Sequence, residues 1–467
     1  MGDLGLALAM VLSGAAGAAA LSPLLWNGAA ARWQTLMGYG FAGGLLLTTL
    51  VMRAAFAAKL GLSFGVTAAG LVIVAAGGVL ANQLLRKRGV VAAGGMARQT
   101  APEPGWRRLA WLGFLALILV RVAGIGLEAW WRPLFPWDAW DIWGPKSKIW
   151  FETRDLNNYY GHFDNGYPPA INLLQIWANL GLGAWDDAKM NIAWPLLLGA
   201  LLLAAYGQAR RIGASPLAAA IVSYLLASLP ILDAHAALAG YADLPLAVTF
   251  GLAAIAFFVW VVTHDKRQLV LALLFAALAP LYKIPGAIWS LTLVPALLVA
   301  LYDRASGRKA LRWGMAIVVV GLLAGGYVYA KQRNFALTLY QAHFAPNPTS
   351  GVVLENYFVL DNYHLVWYLL AVALALWWRA AIGREMRPAT ALIASGLGFL
   401  AVSFFFTNSV EWWGDYGTLN RATLHFVPAL VFYLFLISRT STSLNKTTPP
   451  SSTDAPVPGT DAASSVS

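Results

Sequence analysis

An all-α polytopic membrane protein is the expectation, and three features of the sequence lead to it. Hydrophobic residues make up 59% of the 467 and charged residues only 11%, with a mean hydropathy of +0.63. Soluble domains carry about 45–50% apolar and about 25% charged residues. The apolar residues are blocked into long runs, which a water-soluble core does not need, and the basic clusters fall on alternate connections between those runs. A soluble enzyme, a disordered chain and a coiled coil are excluded at this level.

A spanning helix needs roughly 20 mostly apolar residues. In chain order such runs lie at 4–25, 37–52, 61–85, 109–129, 190–208, 215–232, 244–262, 268–282, 285–301, 313–330, 364–379, 389–406 and 422–438, about thirteen helices. The first is expected to be a retained span, because Met1-Gly2-Asp3 offers an acid where a cleaved leader has a basic segment. Pro168 to Gly181 is apolar but short, and Asn172, Gln175 and Asn179 form one polar stripe. It is expected to lie along the outer surface as an interfacial helix. Residues 439–467 are Ser/Thr/Pro-rich and are expected to form a disordered tail. No repeat period appears, nor an inverted pair of broken helices of the transporter kind. The chain therefore divides into extra spans at 1–85, a basic loop at 86–108, a core at 109–438 with a long outer loop at 130–189, and the tail.

The charges orient the bundle. One set of connections, with the tail and Arg32, holds 20 basic and 6 acidic residues, and the other holds 11 basic and 15 acidic. By the positive-inside rule the first set faces the cytoplasm, so the N-terminus lies outside and the C-terminus inside. The net charge of +11 therefore reads as membrane sidedness, with no nucleic-acid partner expected. A bacterial plasma (inner) membrane, with the long loop on the periplasmic or extracellular side, is the working expectation.

The chain has no cysteine, which removes disulfides, thiolate nucleophiles and cysteine-ligated metal sites. Its six histidines never fall at the His-x-x-x-His spacing of a helical metal site. The chemistry-bearing residues collect in the first outer loop. Residues 130–150 hold six of the 21 tryptophans, together with Asp138, Asp141, Lys146 and Lys148. His162, Asp164 and Tyr167 follow. Tryptophan gathers at membrane interfaces whatever the function, and lysine there can simply snorkel. Carboxylates near the hydrocarbon boundary gain nothing from anionic headgroups and are costly if drawn inward. Glycosyl transfer from a lipid-phosphate sugar suits the set: a carboxylate takes the acceptor proton, cations hold the leaving phosphate, and aromatic rings stack on the sugar.

At these residues the sequence resembles a known family. WDAWDIWGPKSKIW followed by DNGYPP looks like the first outer loop of GT-C glycosyltransferases, such as the protein O-mannosyltransferases and the lipid A aminoarabinose transferases. Gly240-Tyr241-Ala242-Asp243-Leu244-Pro245 resembles that family's Tyr-x-Asp-x-Pro turn. Leu281-Tyr282-Lys283-Ile284-Pro285-Gly286 resembles its Thr-Lys-x-x-Gly segment, and Asn420-Arg421 the basic residue that opens its final helix. The resemblance spans about 109–438 and is strongest in the first loop. It implies a polytopic enzyme that uses a polyprenyl-phosphate sugar donor on the outer face with inversion, and a glycan, lipid or protein as acceptor among the membrane lipids. By position it makes Asp138 the catalytic base, with Asp141 in reserve. Ala139 replaces the acidic residue that often follows the first aspartate, which leaves a divalent metal (Mg or Mn) open.

Lys283 and Arg421 are candidates for the donor phosphate, with Lys146 and Lys148 as helpers. Trp137, Trp140, Trp143, His162, Asp164, Tyr167 and Asp243 are candidates for the sugar or acceptor. Each has a blander alternative: Lys283 could snorkel, Asp243 could cap its helix, and Arg421 could pair with Glu411 or Asp415. Arg121, inside a span, needs a carboxylate or lipid phosphate as partner. A transporter or flippase of a lipid-linked or sugar substrate is the alternative function, and would need ionisable groups along a path at mid-membrane depth.

Overall fold

A computed structural model describes residues 2–25, 30–88, 104–158, 167–302, 350–407 and 417–447. The described chain is helical, with no strand. In order it forms α1 (Gly2–Leu25), α2 (Arg32–Ala57), α3 (Phe64–Lys87) and α4 (Gly105–Trp131), then α5 (Gly144–Thr153) and α6 (Ala170–Leu182) in the long loop. The bundle continues with α7 (Ala193–Arg211), α8 (Pro216–Ser228), α9 (Pro230–Ala237), α10 (Asp243–Thr263) and α11 (Lys266–Leu278). It ends with α12 (Pro285–Leu291), α13 (Leu293–Tyr302), α14 (Ser350–Leu354), α15 (Val366–Ile382), α16 (Arg387–Phe406), α17 (Gly417–Leu424) and α18 (Val427–Thr447).

Eight helices among the described residues are long and apolar enough to cross a membrane, or up to ten if each of two bent pairs is one span. This is the architecture of a multi-pass α-helical membrane protein. The count differs from thirteen for physical reasons. Residues 268–282 break after α11, a helix of 13 residues, and α15 has only 17. The span expected at 313–330 lies outside the described residues, as do His162 and Asp164.

The bent pairs are α8–α9, turned by 61°, and α17–α18, turned by 51°. Proline explains the first. Pro230 has no N–H to continue α8, and it pushes Leu229 to an extended conformation at φ −70°, ψ 120°. Arg121 finds its partner at this bend, pairing with Asp233 of α9 and donating to the Ser228 carbonyl. The carboxylate alternative is therefore the one realised.

Burial follows composition. α10 (DLPLAVTFGLAAIAFFVWVVT) is apolar on every face and is buried almost throughout, so it forms the axis of the bundle. α3 and α4 instead turn Val72, Ile73, Leu117, Leu119 and Val120 outward, an apolar surface suited to lipid. Small residues let α1 and α2 approach backbone to backbone. A Cβ on Gly44 would meet the Ser13 carbonyl, and one on Gly17 the Gly40 carbonyl. The ion pair of Lys189 with Asp3 at 2.7 Å brings the start of α1 to the same end of the bundle as the long loop.

The interfacial helix requires correction. α6 is buried at all 13 of its positions, not laid on a surface. Trp177 donates to the Ala9 carbonyl at 3.1 Å and stacks on Phe64, 4.9 Å between ring centroids. The polar stripe faces protein. Asn172 donates to the Trp143 carbonyl at 2.8 Å, Ser147 to Gln175 at 2.6 Å, and the Asp186 N–H to Asn179 at 2.8 Å. The spans before residue 86 thus supply the cover over a loop helix whose Asn172, Gln175 and Asn179 each bond to protein.

Candidate functional site

Four segments far apart in sequence meet at the loop-bearing end of the bundle. After α4 the chain passes Pro133 and Pro136 and enters a π-helical turn at Ala139–Trp143, with Asp138 immediately before it. The second segment is the turn into α10. Gly240 has φ +100°, and a Cβ there would crowd Leu134 and the Cβ of Ala139. Only glycine lets this turn lie flat against the first loop. Ala139 is fully buried in that contact, and the tight packing of the turn against it disfavours a longer acidic side chain at the position. The third segment is Tyr282-Lys283, before Pro285 opens α12. The fourth is the end of α17 and the turn that follows it, which carry Arg421 and His425, four residues apart.

These segments form one ionic cluster. Asp243, fully buried, accepts from Lys283 Nζ at 2.8 Å, from His425 Nε2 at 3.0 Å and from Arg421 Nε at 2.9 Å. Arg421 reaches on through Nη2 to Asp138 Oδ2. Trp289 Nε1 donates to His425 Nδ1 at 3.1 Å, which leaves the imidazole proton on Nε2, where it points at Asp243. With His425 neutral, two carboxylates balance two cations. Drawing such groups out of water costs several kcal/mol per ion unless each is paired, and here every one is.

Tyrosines close the cluster. The Arg421 guanidinium lies 4.9 Å from the Tyr241 ring centroid, a cation–π contact. Trp194 Nε1 holds the Tyr241 carbonyl at 2.7 Å. Burial, and then the nearby Asp138 carboxylate, push the Tyr167 and Tyr241 hydroxyls above their ordinary range. Both therefore stay protonated at neutral pH. Behind α17, Asn420 accepts from Tyr363 at 2.8 Å and from Asn356 at 2.9 Å. That anchors the helix on the face away from Arg421.

Of the residues singled out in the sequence, Asp138, Asp243, Lys283 and Arg421 are joined by these bonds, and Tyr167 is close enough to feel their charge. Asp243 does not cap α10, since no side-chain cap bond forms there, and Lys283 is buried against a carboxylate instead of snorkelling. Glu411 and Asp415 lie outside the described residues. Asp141, Lys146 and Lys148 are not among the residues these ion pairs join. Lys146 lies over the Trp150 ring at 4.9 Å, and Lys148 is exposed. Trp143 is buried against Tyr167, whereas Trp137 and Trp140 are 67% and 56% exposed. His425 and Trp289 were missed. His425 had a signal in the sequence, the i, i+4 spacing from Arg421, whereas the pairing of Trp289 with it arises only in three dimensions.

No three His, Asp or Glu side chains gather as a metal-holding group among the described residues. Comparison of the chain with family models, with curated proteins and with solved structures finds no match.

Proposed function

We propose that this protein is a membrane-embedded glycosyltransferase of GT-C type. It moves a sugar from a polyprenyl phosphate to an acceptor hydroxyl at the outer face of a bacterial inner membrane. The observation that carries the reading is the meeting of Asp138 with Arg421, Lys283 and Asp243 at one end of an apolar bundle. Asp138 is the partly exposed carboxylate of the two, so it is the one an acceptor can reach.

In the reaction the acceptor oxygen attacks the anomeric carbon while Asp138 takes its proton. The bond from that carbon to the phosphate oxygen breaks, and its electron pair leaves with the lipid phosphate. Arg421 and Lys283 receive that charge. Asp243, held by three donors, keeps both cations aimed. Attack from the face opposite the phosphate inverts the anomeric centre. The neutral Tyr167 and Tyr241 supply hydroxyls for the sugar or acceptor.

The test is turnover by detergent-purified protein with a panel of polyprenyl-phosphate sugars, parent beside Asp138→Asn. Release of free polyprenyl phosphate by the parent, reduced about 10²–10⁴-fold in the variant, is expected for loss of a general base. Equal rates would remove Asp138 from that role. An arm with EDTA reports on Mg or Mn.

A transporter or flippase is the second reading, and the two bent helix pairs favour it. Translocation of a lipid-linked sugar across vesicles without release of polyprenyl phosphate would select it.

A further inference from the structure

We propose that the end of the bundle opposite the Asp138–Asp243 cluster carries a second site, for the phosphate headgroup of an anionic phospholipid. α10 has 21 residues, so its two ends lie roughly 30 Å apart. The carboxylate cluster sits at its start, and a cavity of about 520 Å³ sits at its finish, among α10, α13, α16, α18 and the α7–α8 turn.

The cavity is built in two tiers. Its floor is apolar and buried, with Trp260, Met386 and Leu436. Its rim is exposed and charged, with Arg384 and Arg439 outweighing Glu385. α16 begins at this cavity, and its Pro388 lines the wall between the two tiers. The volume exceeds what an isolated phosphate needs and falls within the range of small-molecule pockets, about 300–1,000 Å³. An anion with hydrocarbon attached fits both tiers: the acyl chain meets the floor and the phosphate meets the rim. Basic pockets between helices at a membrane surface take anionic headgroups for this reason. The site stands apart from the proposed sugar chemistry in place and in ligand.

Delipidated full-length protein in detergent, titrated with phosphatidylglycerol or phosphatidylcholine and read by native mass spectrometry, provides the test. Phosphatidylglycerol is expected to be retained in preference to phosphatidylcholine. The double variant Arg384→Gln/Arg439→Gln should weaken phosphatidylglycerol about 30-fold, from two lost basic contacts at a membrane surface. Ala300→Trp, which fills the cavity from α13, should displace phosphatidylglycerol. Competition on the parent protein needs no variant: excess inorganic phosphate should leave most of the lipid bound. Equal retention of both lipids, or unchanged phosphatidylglycerol binding in the double variant, overturns the proposal. Full displacement by inorganic phosphate, with Ala300→Trp indifferent, assigns the site to a soluble anion and overturns the lipid.

Discussion

Asp138 and Asp243 grip the same guanidinium, yet their surroundings give them different work. Asp243 has no exposed surface and three donors. Asp138 reaches the cluster through Arg421 alone and keeps an open side. Removing the charge of Asp243 leaves Lys283 and Arg421 short of a buried partner, which costs about 3–5 kcal/mol. Asp243→Asn is therefore expected to lower the apparent melting temperature in detergent clearly, and Asp138→Asn to change it little. The reverse ranking would make Asp138 the structural member. Under the proposed chemistry a donor phosphate would share Arg421 with Asp138, so their pairing sets up a competition. Asp138→Asn should consequently bind a short isoprenyl phosphate more tightly than the parent, by about tenfold for each 1.4 kcal/mol of competition relieved. Unchanged or weaker binding, measured by calorimetry, would mean that Arg421 does not hold the phosphate.

Helices in this bundle are placed by two devices, small residues and buried polar partners. α1 and α2 touch through backbone at Gly17, Gly40 and Gly44, while Gly77 of α3 has nothing within 4 Å of a Cβ. Gly44→Leu should force the pair apart and reduce the monodisperse fraction on size exclusion, and Gly77→Leu should elute as the parent does. α6 shows how an element can mislead when read alone. Its Asn172, Gln175 and Asn179 have the spacing of a wet stripe, yet they bond to Trp143, Ser147 and the Asp186 N–H. Amphipathicity reports that a helix has two faces and does not say whether water or protein meets the polar one.

Across the whole molecule, sidedness rests on charge counts and is open to direct measurement. The chain has no cysteine, so single-cysteine variants need no background correction. Asn157→Cys, in the long loop, should react with an impermeant maleimide on intact cells, and Lys266→Cys, at the other end of α10, only after lysis. The opposite pattern would invert the orientation and move the proposed chemistry to the cytoplasm. The sequence by itself determined the membrane class, the position of most spans and the gathering of aromatic and ionisable residues around Asp138. These follow from hydropathy, length and charge, which are properties of neighbouring residues. Tertiary structure alone decided that Lys283, Arg421 and His425 share Asp243, that Asp233 neutralises Arg121, and that α6 is enclosed. Asp138 and Arg421 are separated by 283 positions. A pairing over that distance depends on how helices pack, and no local pattern along the chain encodes it.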